Sequence, residues 1–250
     1  MAHYQVILAY DGTRFSGFQR QARARTVQGS VETALRRFGW GEESLLASGR
    51  TDTGVHATGQ VITFNLDWKH SPEALLSALN ANLPGDVAAQ QIQQVPPGFH
   101  PRFDAISRRY QYHLVCQSIR NPLAERYAWR LWHQVDFVKL QEISKFFLGL
   151  HNFAAFGTPS RAGGSTTRCV LDAFWAQNDN RLIFDVTANA FLYHMVRRIV
   201  FIQIVAAQGK ITGDELQASL KNGKDFVKRG IAPPQGLVLV KVNYSYDIEK

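Results

Sequence analysis

The densest chemical signal in this sequence is SGRTDTGVHATGQ, residues 48–60, where Arg50 stands two positions before Asp52 and His56 follows in a run of glycines. A carboxylate in such a tight segment can cap an Asx-turn, with the arginine beside it incidental. It can also act as a nucleophile, which requires that it stay ionised. Asp-Thr-Gly at 52–54 is the fingerprint of aspartic proteases too, but those enzymes need two carboxylates sharing one proton. This chain has one such triplet, and a cation at Arg50 would favour full ionisation of Asp52. The residues alone leave the turn and the nucleophile both standing.

Elements on either side must hold that loop. YQVILAY (4–10) reads as a strand ended by Asp11-Gly12, and Thr26 to Phe38 as a helix with Val27, Val31, Ala34, Leu35 and Phe38 at helical spacing. The loop from Ser48 to Thr58 leads into the strand GQVITFNL. Ser71-Pro72-Glu73 supplies an N-cap, an N1 proline and an early acid for a helix running to about Asn82. Val87 to Val95 is a polar strand, and Pro96, Pro97 and Pro101 then cluster at a boundary. Beyond it come a strand over Ile106–Cys116 with Tyr110, Tyr112 and Leu114 on one face, and a helix over Asp136–Leu148. The loop GTPSRAGGST (157–166) follows, then a hairpin of Thr167–Gln177 and Leu182–Thr187. A long apolar helix over Phe191–Ala207 and a closing strand, GLVLVKVNYSY (236–246), complete the chain. This order predicts an α+β fold in two units, residues 1–100 and 101–250, each an antiparallel sheet with helices on one face.

Charge points to the partner. The chain has 28 Lys and Arg against 20 Asp and Glu, a net charge of +8, so a polyanion is favoured. Arg14, Arg20, Arg23 and Arg25 fall in one glycine-containing stretch free of acids, and aromatics sit beside cations in RFSGFQRQ and RRYQY. That mixture suits a nucleic acid whose backbone is neutralised and whose bases are stacked. Cys116 and Cys169 lie far apart with no Cys-x-x-Cys spacing, which fits a reducing cytosol. No apolar stretch approaches the roughly 18 residues of a membrane helix, and the apolar run before Asp11 is too short for a signal peptide. A cytoplasmic protein with no membrane association is expected. Walker, Rossmann and metal-ligand spacings are all missing, so neither a cofactor nor a metal is expected.

GRTDTGVHATGQV resembles the catalytic motif of the TruA family of tRNA pseudouridine synthases, Gly-Arg-Thr-Asp-x-Gly-Val-His. The resemblance extends in family order through YDGTRFSGFQRQ with TVQGSVETAL, RRYQYHL, LGLHNFAAF, NAFLYHMVRRIV and APPQGLVLVKVNY, over nearly the whole chain. It implies isomerisation of uridine to pseudouridine at positions 38, 39 and 40 of the tRNA anticodon stem-loop, without a cofactor. It further implies two ferredoxin-like or RRM-like halves whose antiparallel sheets join, flanked by helices, with an active-site cleft between them, in a homodimer. By the same resemblance Asp52 is the catalytic aspartate, while Arg50 and Arg197 are cations that hold it charged in a dry pocket. Tyr110 stacks on the target base near its C5 proton, and Leu237 is an apolar wall. Arg14, Arg20, Arg23 and Arg25 then form a clamp on the RNA.

Two points stay in tension. On a helical wheel the apolar stripe centres near Met195, Ile199 and Ile202, which puts Arg198 at its edge and Arg197 on the far side. Only a helix packed on two sides would bury Arg197. His56 and Thr51 read as loop-shaping or RNA-contacting rather than chemical. A non-catalytic RNA-binding module is the alternative function, and intact Asp52, Arg50 and Tyr110 argue against it.

Overall fold

A computed structural model describes residues 1–222 and 230–245. Its chain divides into two compact units, Met1–Ile106 with Val238–Lys250, and Ser107–Leu237.

The first unit opens with β1 (Ala2–Tyr10), α1 (Val27–Arg36), β2 (Leu46–Ala47), β3 (His56–Leu66), α2 (Pro72–Asn82) and β4 (Val87–Gln94). β1 lies between β3 and β4, antiparallel to both, and β2 adds to β3. Tyr4, Val6 and Leu8 alternate along β1 as buried residues, opposite Phe64, Ile62 and Gln60 of β3. The buried stripes of Val27, Val31, Ala34 and Leu35 on α1 and of Leu75 and Leu79 on α2 complete this core. Each such Val, Leu, Ile or Phe side chain stabilises the fold by about 1.5–3 kcal/mol when fully buried. Local signals set the helix ends. The Thr26 and Ser71 hydroxyls accept from the Gly29 and Ala74 amides, and proline occupies the first turn of α2. Asn80 ties α2 to β4, exchanging two 2.8 Å hydrogen bonds with the backbone of Ala89.

The second unit comprises β5 (Ser107–Cys116), α3 (Pro122–Glu125), β6 (Trp129–Leu131), α4 (Phe137–Lys145), β7 (Gly149–Asn152), β8 (Thr167–Asn178), β9 (Arg181–Ala188), α5 (Met195–Ala207) and α6 (Gly213–Asn222). Its sheet runs β5-β9-β8-β7 with antiparallel neighbours, and β6 pairs in parallel with β5. α4 packs on β8 and on α5, and α5 packs on β5. Tyr112, Phe184 and Trp175 line up across the three central strands, all buried. The Trp175 indole donates to Gln203 Oε1 at 2.8 Å, which satisfies its buried N–H.

Four sequence expectations change, the first being that each sheet is antiparallel: β6 pairs in parallel with β5, and the last strand with β3. The last strand, β10 (Leu237–Asn243), belongs from Val238 onward to the first unit, where it pairs in parallel with β3, rather than to a C-terminal half spanning 101–250. Gly59 permits the approach, since a Cβ there would lie 2.1 Å from the Val240 carbonyl oxygen. The closing strand expected through residue 246 ends at Asn243, and Tyr246 lies outside the described residues. The long apolar helix begins at Met195, four residues later than its pattern suggests, because His194 takes a left-handed conformation at φ 67°. Among the described residues, no helix is long and apolar enough to cross a membrane.

Candidate functional site

Asp52 sits on a loop whose backbone is fixed from both sides. At its start the Ser48 N–H donates to the Val61 carbonyl at 2.8 Å and the Ser48 hydroxyl to Gln60 Oε1 at 2.6 Å. Gln60, fully buried, donates in turn to the Gly49 carbonyl at 3.1 Å. Around the acid itself, the Phe18 N–H donates to the Thr51 carbonyl at 3.0 Å and the Val55 N–H to the Asp52 carbonyl at 3.1 Å. The Thr51 hydroxyl lies 2.8 Å from the Tyr10 hydroxyl. These bonds hold the backbone on which the half-buried Asp52 stands.

The segment 11–18 packs so closely on this loop that two positions admit glycine only. A Cβ at Gly12 would lie 2.0 Å from the Val55 carbonyl oxygen. One at Gly17 would lie 2.9 Å from that of Thr51, with φ at 86° besides. His56, buried, accepts the Gly12 N–H at Nδ1 across 3.0 Å. Thr51 and His56 therefore shape the loop from inside. Arg50 is exposed and, among the described residues, in no ion pair, which leaves its guanidinium open to an incoming anion.

The four arginines of the basic loop divide into two kinds. Arg20 donates to Glu32 at 2.9 Å, and Glu32 is fully buried and also accepts from Gln28 at 2.8 Å. Arg25 makes two 2.7 Å bonds to Asp86 and stacks 4.1 Å over the Phe15 ring. That pairing holds the Asp86 carboxyl below the usual carboxylate range and raises the Arg25 guanidinium. Arg14 and Arg23 are exposed and, among the described residues, without an ion pair. Two of the four staple the loop to its own unit; the other two face solvent.

In the second unit, Arg197 at the start of α5 meets the APPQG segment. Arg197 is 9% exposed despite its place off the apolar stripe, because α5 is buried around most of its circumference. Its Nε donates to the Ala232 carbonyl at 2.8 Å. Tyr112 donates its hydroxyl to the Pro233 carbonyl at 2.7 Å. Burial pushes that phenol far above its usual range, and the Arg197 charge opposes the shift. Gly236 clears the same ring, since a Cβ there would come within 2.7 Å of it. Arg198 is half-buried, and Leu237 begins β10 as a buried residue. Tyr110, two residues before Tyr112 on β5, is half-buried and meets Phe191 edge-on at 5.0 Å.

Sequence reasoning missed the segment between Phe191 and Arg197. His194 is one of two non-glycine residues with positive φ among those described, a conformation that costs on the order of 1–3 kcal/mol. Tyr193 and Thr158 exchange backbone hydrogen bonds at 2.9 and 3.4 Å, and Gly157 makes room, with its Cβ position 2.6 Å from the Tyr193 carbonyl oxygen. Among the described residues, no three His, Cys, Asp or Glu side chains gather as metal ligands would.

A family model described as tRNA pseudouridine synthase matches residues 6–104 and 143–245. Curated proteins named tRNA pseudouridine synthase A are similar over almost their full length. The protein from Thermoanaerobacter sp. (strain X514) is 36% identical over 245 residues, covering 98% of this chain and 100% of its own. Those from Methylacidiphilum infernorum (isolate V4) and Geobacter sp. (strain M21) are each 38% identical, covering 98% of this chain and 97% and 99% of their own.

Proposed function

Because the chain belongs to the tRNA pseudouridine synthase family, and is therefore an enzyme that forms pseudouridine in tRNA, we propose that it acts at positions 38, 39 and 40 of the anticodon stem-loop, with Asp52 as nucleophile and no cofactor. In this reading the Asp52 carboxylate attacks ribose C1′ or uracil C6 and the N1–C1′ bond breaks. The base turns and C5 bonds to C1′, the Asp52–carbon bond breaks to return the carboxylate, the C5 proton leaves and N1 gains a proton. Atoms and electrons balance within the nucleotide. Arg197, anchored through its Nε, supplies positive charge that favours an ionised carboxylate. Arg50, exposed, meets the RNA backbone or base. Tyr110 stacks on uracil, its ring steadied by Phe191, and its hydroxyl handles the C5 proton. Leu237 forms an apolar wall. The cleft between two ferredoxin-like halves, the homodimer and a cytoplasmic location belong to the same proposal.

The observation that carries this reading is the loop around Asp52. Both neighbouring peptide groups are hydrogen-bonded and two glycines admit no side chain, while Asp52 itself is half-buried. Such preorganisation suits a nucleophile that must meet a carbon atom in one geometry. The test incubates the protein with unmodified tRNA transcripts, without added cofactor, and maps pseudouridine by position. Product at 38–40 is expected. Binding without product would leave the non-catalytic RNA-binding module in its place.

A further inference from the structure

Neighbouring side chains on a strand or a helix point away from one another. Tyr193 and His194 do not. Their rings stack with centroids 3.7 Å apart and an interplanar angle of 27°. The left-handed turn at His194 folds the two together, and the two hydrogen bonds between Tyr193 and Thr158 fix the backbone beneath them. Although His194 covers one face of the Tyr193 ring, the residue remains 57% exposed. A rigid aromatic surface is thus presented to solvent four residues before Arg197 and two after Phe191, the ring that steadies Tyr110. The loop that starts at Gly157 and Thr158 carries Arg161, exposed and, among the described residues, without an ion pair.

An enzyme that works on both ribose and base must take its target nucleotide out of the stack, which strips the neighbouring base of a stacking partner. An exposed tyrosine backed by a second ring replaces that partner without reading sequence, because every base has a π-face. We propose that the open face of Tyr193 stacks on the nucleobase adjacent to the target uridine and holds the RNA while the target is turned out. This positioning role rests on the proposed pseudouridine chemistry. It adds a residue and a contact that the chemistry itself does not require.

The test places 2-aminopurine immediately 5′ or 3′ of the target uridine in separate anticodon stem-loop RNAs, and follows fluorescence as protein is added. Stacking on Tyr193 quenches the probe at one of the two positions. Tyr193→Ala is expected to abolish that quench and to weaken RNA binding by roughly tenfold, the worth of one base on one ring. Tyr193→Phe keeps both, since the ring and not the hydroxyl does the stacking. Trp132→Ala, which removes another exposed aromatic of the same unit, leaves the quench unchanged. Circular dichroism checks that each variant is folded. Pseudouridine formation by the wild-type protein, measured on the same RNAs, reports the underlying chemistry separately. Turnover with an unchanged quench in folded Tyr193→Ala overturns the stacking and leaves the chemistry intact. Absence of turnover overturns both.

Discussion

Arg197 Nε donates to the carbonyl oxygen of Ala232 at 2.8 Å, and the Ala232 N–H donates back to the carbonyl oxygen of Arg197 at 3.2 Å. This two-way link joins the first turns of α5 to the segment before β10. It gives the APPQG sequence a physical purpose. Ala232 holds the arginine, the Pro233 carbonyl takes the Tyr112 hydroxyl, and Gly236 leaves room for the Tyr112 ring.

Arg197→Lys keeps a positive charge but has no Nε–H at the same place and no planar fork. The Ala232 carbonyl is then left without its buried partner, at a cost of about 1–3 kcal/mol. For a chain of this size that lowers Tm by roughly 2–12 °C. Single-turnover pseudouridine formation is expected to fall as well. Thermal melts with rapid-quench assays check both, and a variant that melts with the wild type would show that the link holds nothing.

Asp52→Asn separates shape from charge. The bonds that form the loop come from backbone groups of Ser48, Gly49, Thr51 and Asp52, so exchanging the carboxylate for an amide leaves them in place. The tRNA affinity is expected to stay within a few-fold of wild type. Turnover should fall by at least about a thousandfold, near 4 kcal/mol of barrier. A substantial residual rate in a folded variant would remove Asp52 from the role of nucleophile.

What the sequence made legible was local. The Ser71 hydroxyl and Pro72 bound α2 at the residue where they place its start, because capping is decided within one turn. The hairpin of β8 and β9 follows for the same reason, with Asp179 at positive φ in its turn. The rest depends on partners distant along the chain. Apolar periodicity ran the α5 helix back through Phe191, and no pattern of hydrophobicity reveals a left-handed His194 next to a bridge between Tyr193 and Thr158. The helical wheel put Arg197 on the far side, yet a helix covered on two sides buries it. The pairing of Arg25 with Asp86 spans 61 positions, so a run of arginines read as one cationic clamp hid two structural staples.

Tyr110→Phe tests the hydroxyl alone. The ring keeps its edge-on contact with Phe191 and its capacity to stack, so tRNA binding is expected to match wild type. If the hydroxyl takes part in removing the C5 proton, the rate on bound tRNA falls by about 10²-fold or more. Pre-steady-state rates at saturating enzyme, compared with Kd, separate the two effects. Equal rates would confine Tyr110 to stacking.

The basic loop yields the prediction with the most arms. Arg14 and Arg23 carry no ion pair among the described residues, so their loss should leave Tm unchanged and weaken tRNA binding. Each phosphate contact removed flattens the salt dependence by roughly 0.7 to 0.9 in log–log slope. Arg20→Ala exposes the opposite behaviour, because buried Glu32 loses a partner and the fold is destabilised by about 1–3 kcal/mol. Arg25→Ala is milder, since the guanidinium is partly exposed and such pairs contribute up to about 1 kcal/mol. Its effect depends on acid in a defined direction. Asp86 has its folded pKa lowered by Arg25, so the pair stabilises the protein above the unfolded carboxylate value of about 3.9, and that stability is lost as pH falls through the folded value. The gap in stability between wild type and Arg25→Ala should therefore be full at neutral pH and close on acidification, as denaturant titrations at several pH values would read. Single-turnover rates on saturated tRNA should hardly change for Arg14→Ala and Arg23→Ala, which touch no reacting atom. An unchanged salt slope with a collapsed single-turnover rate would move these two arginines out of the clamp and into the active site.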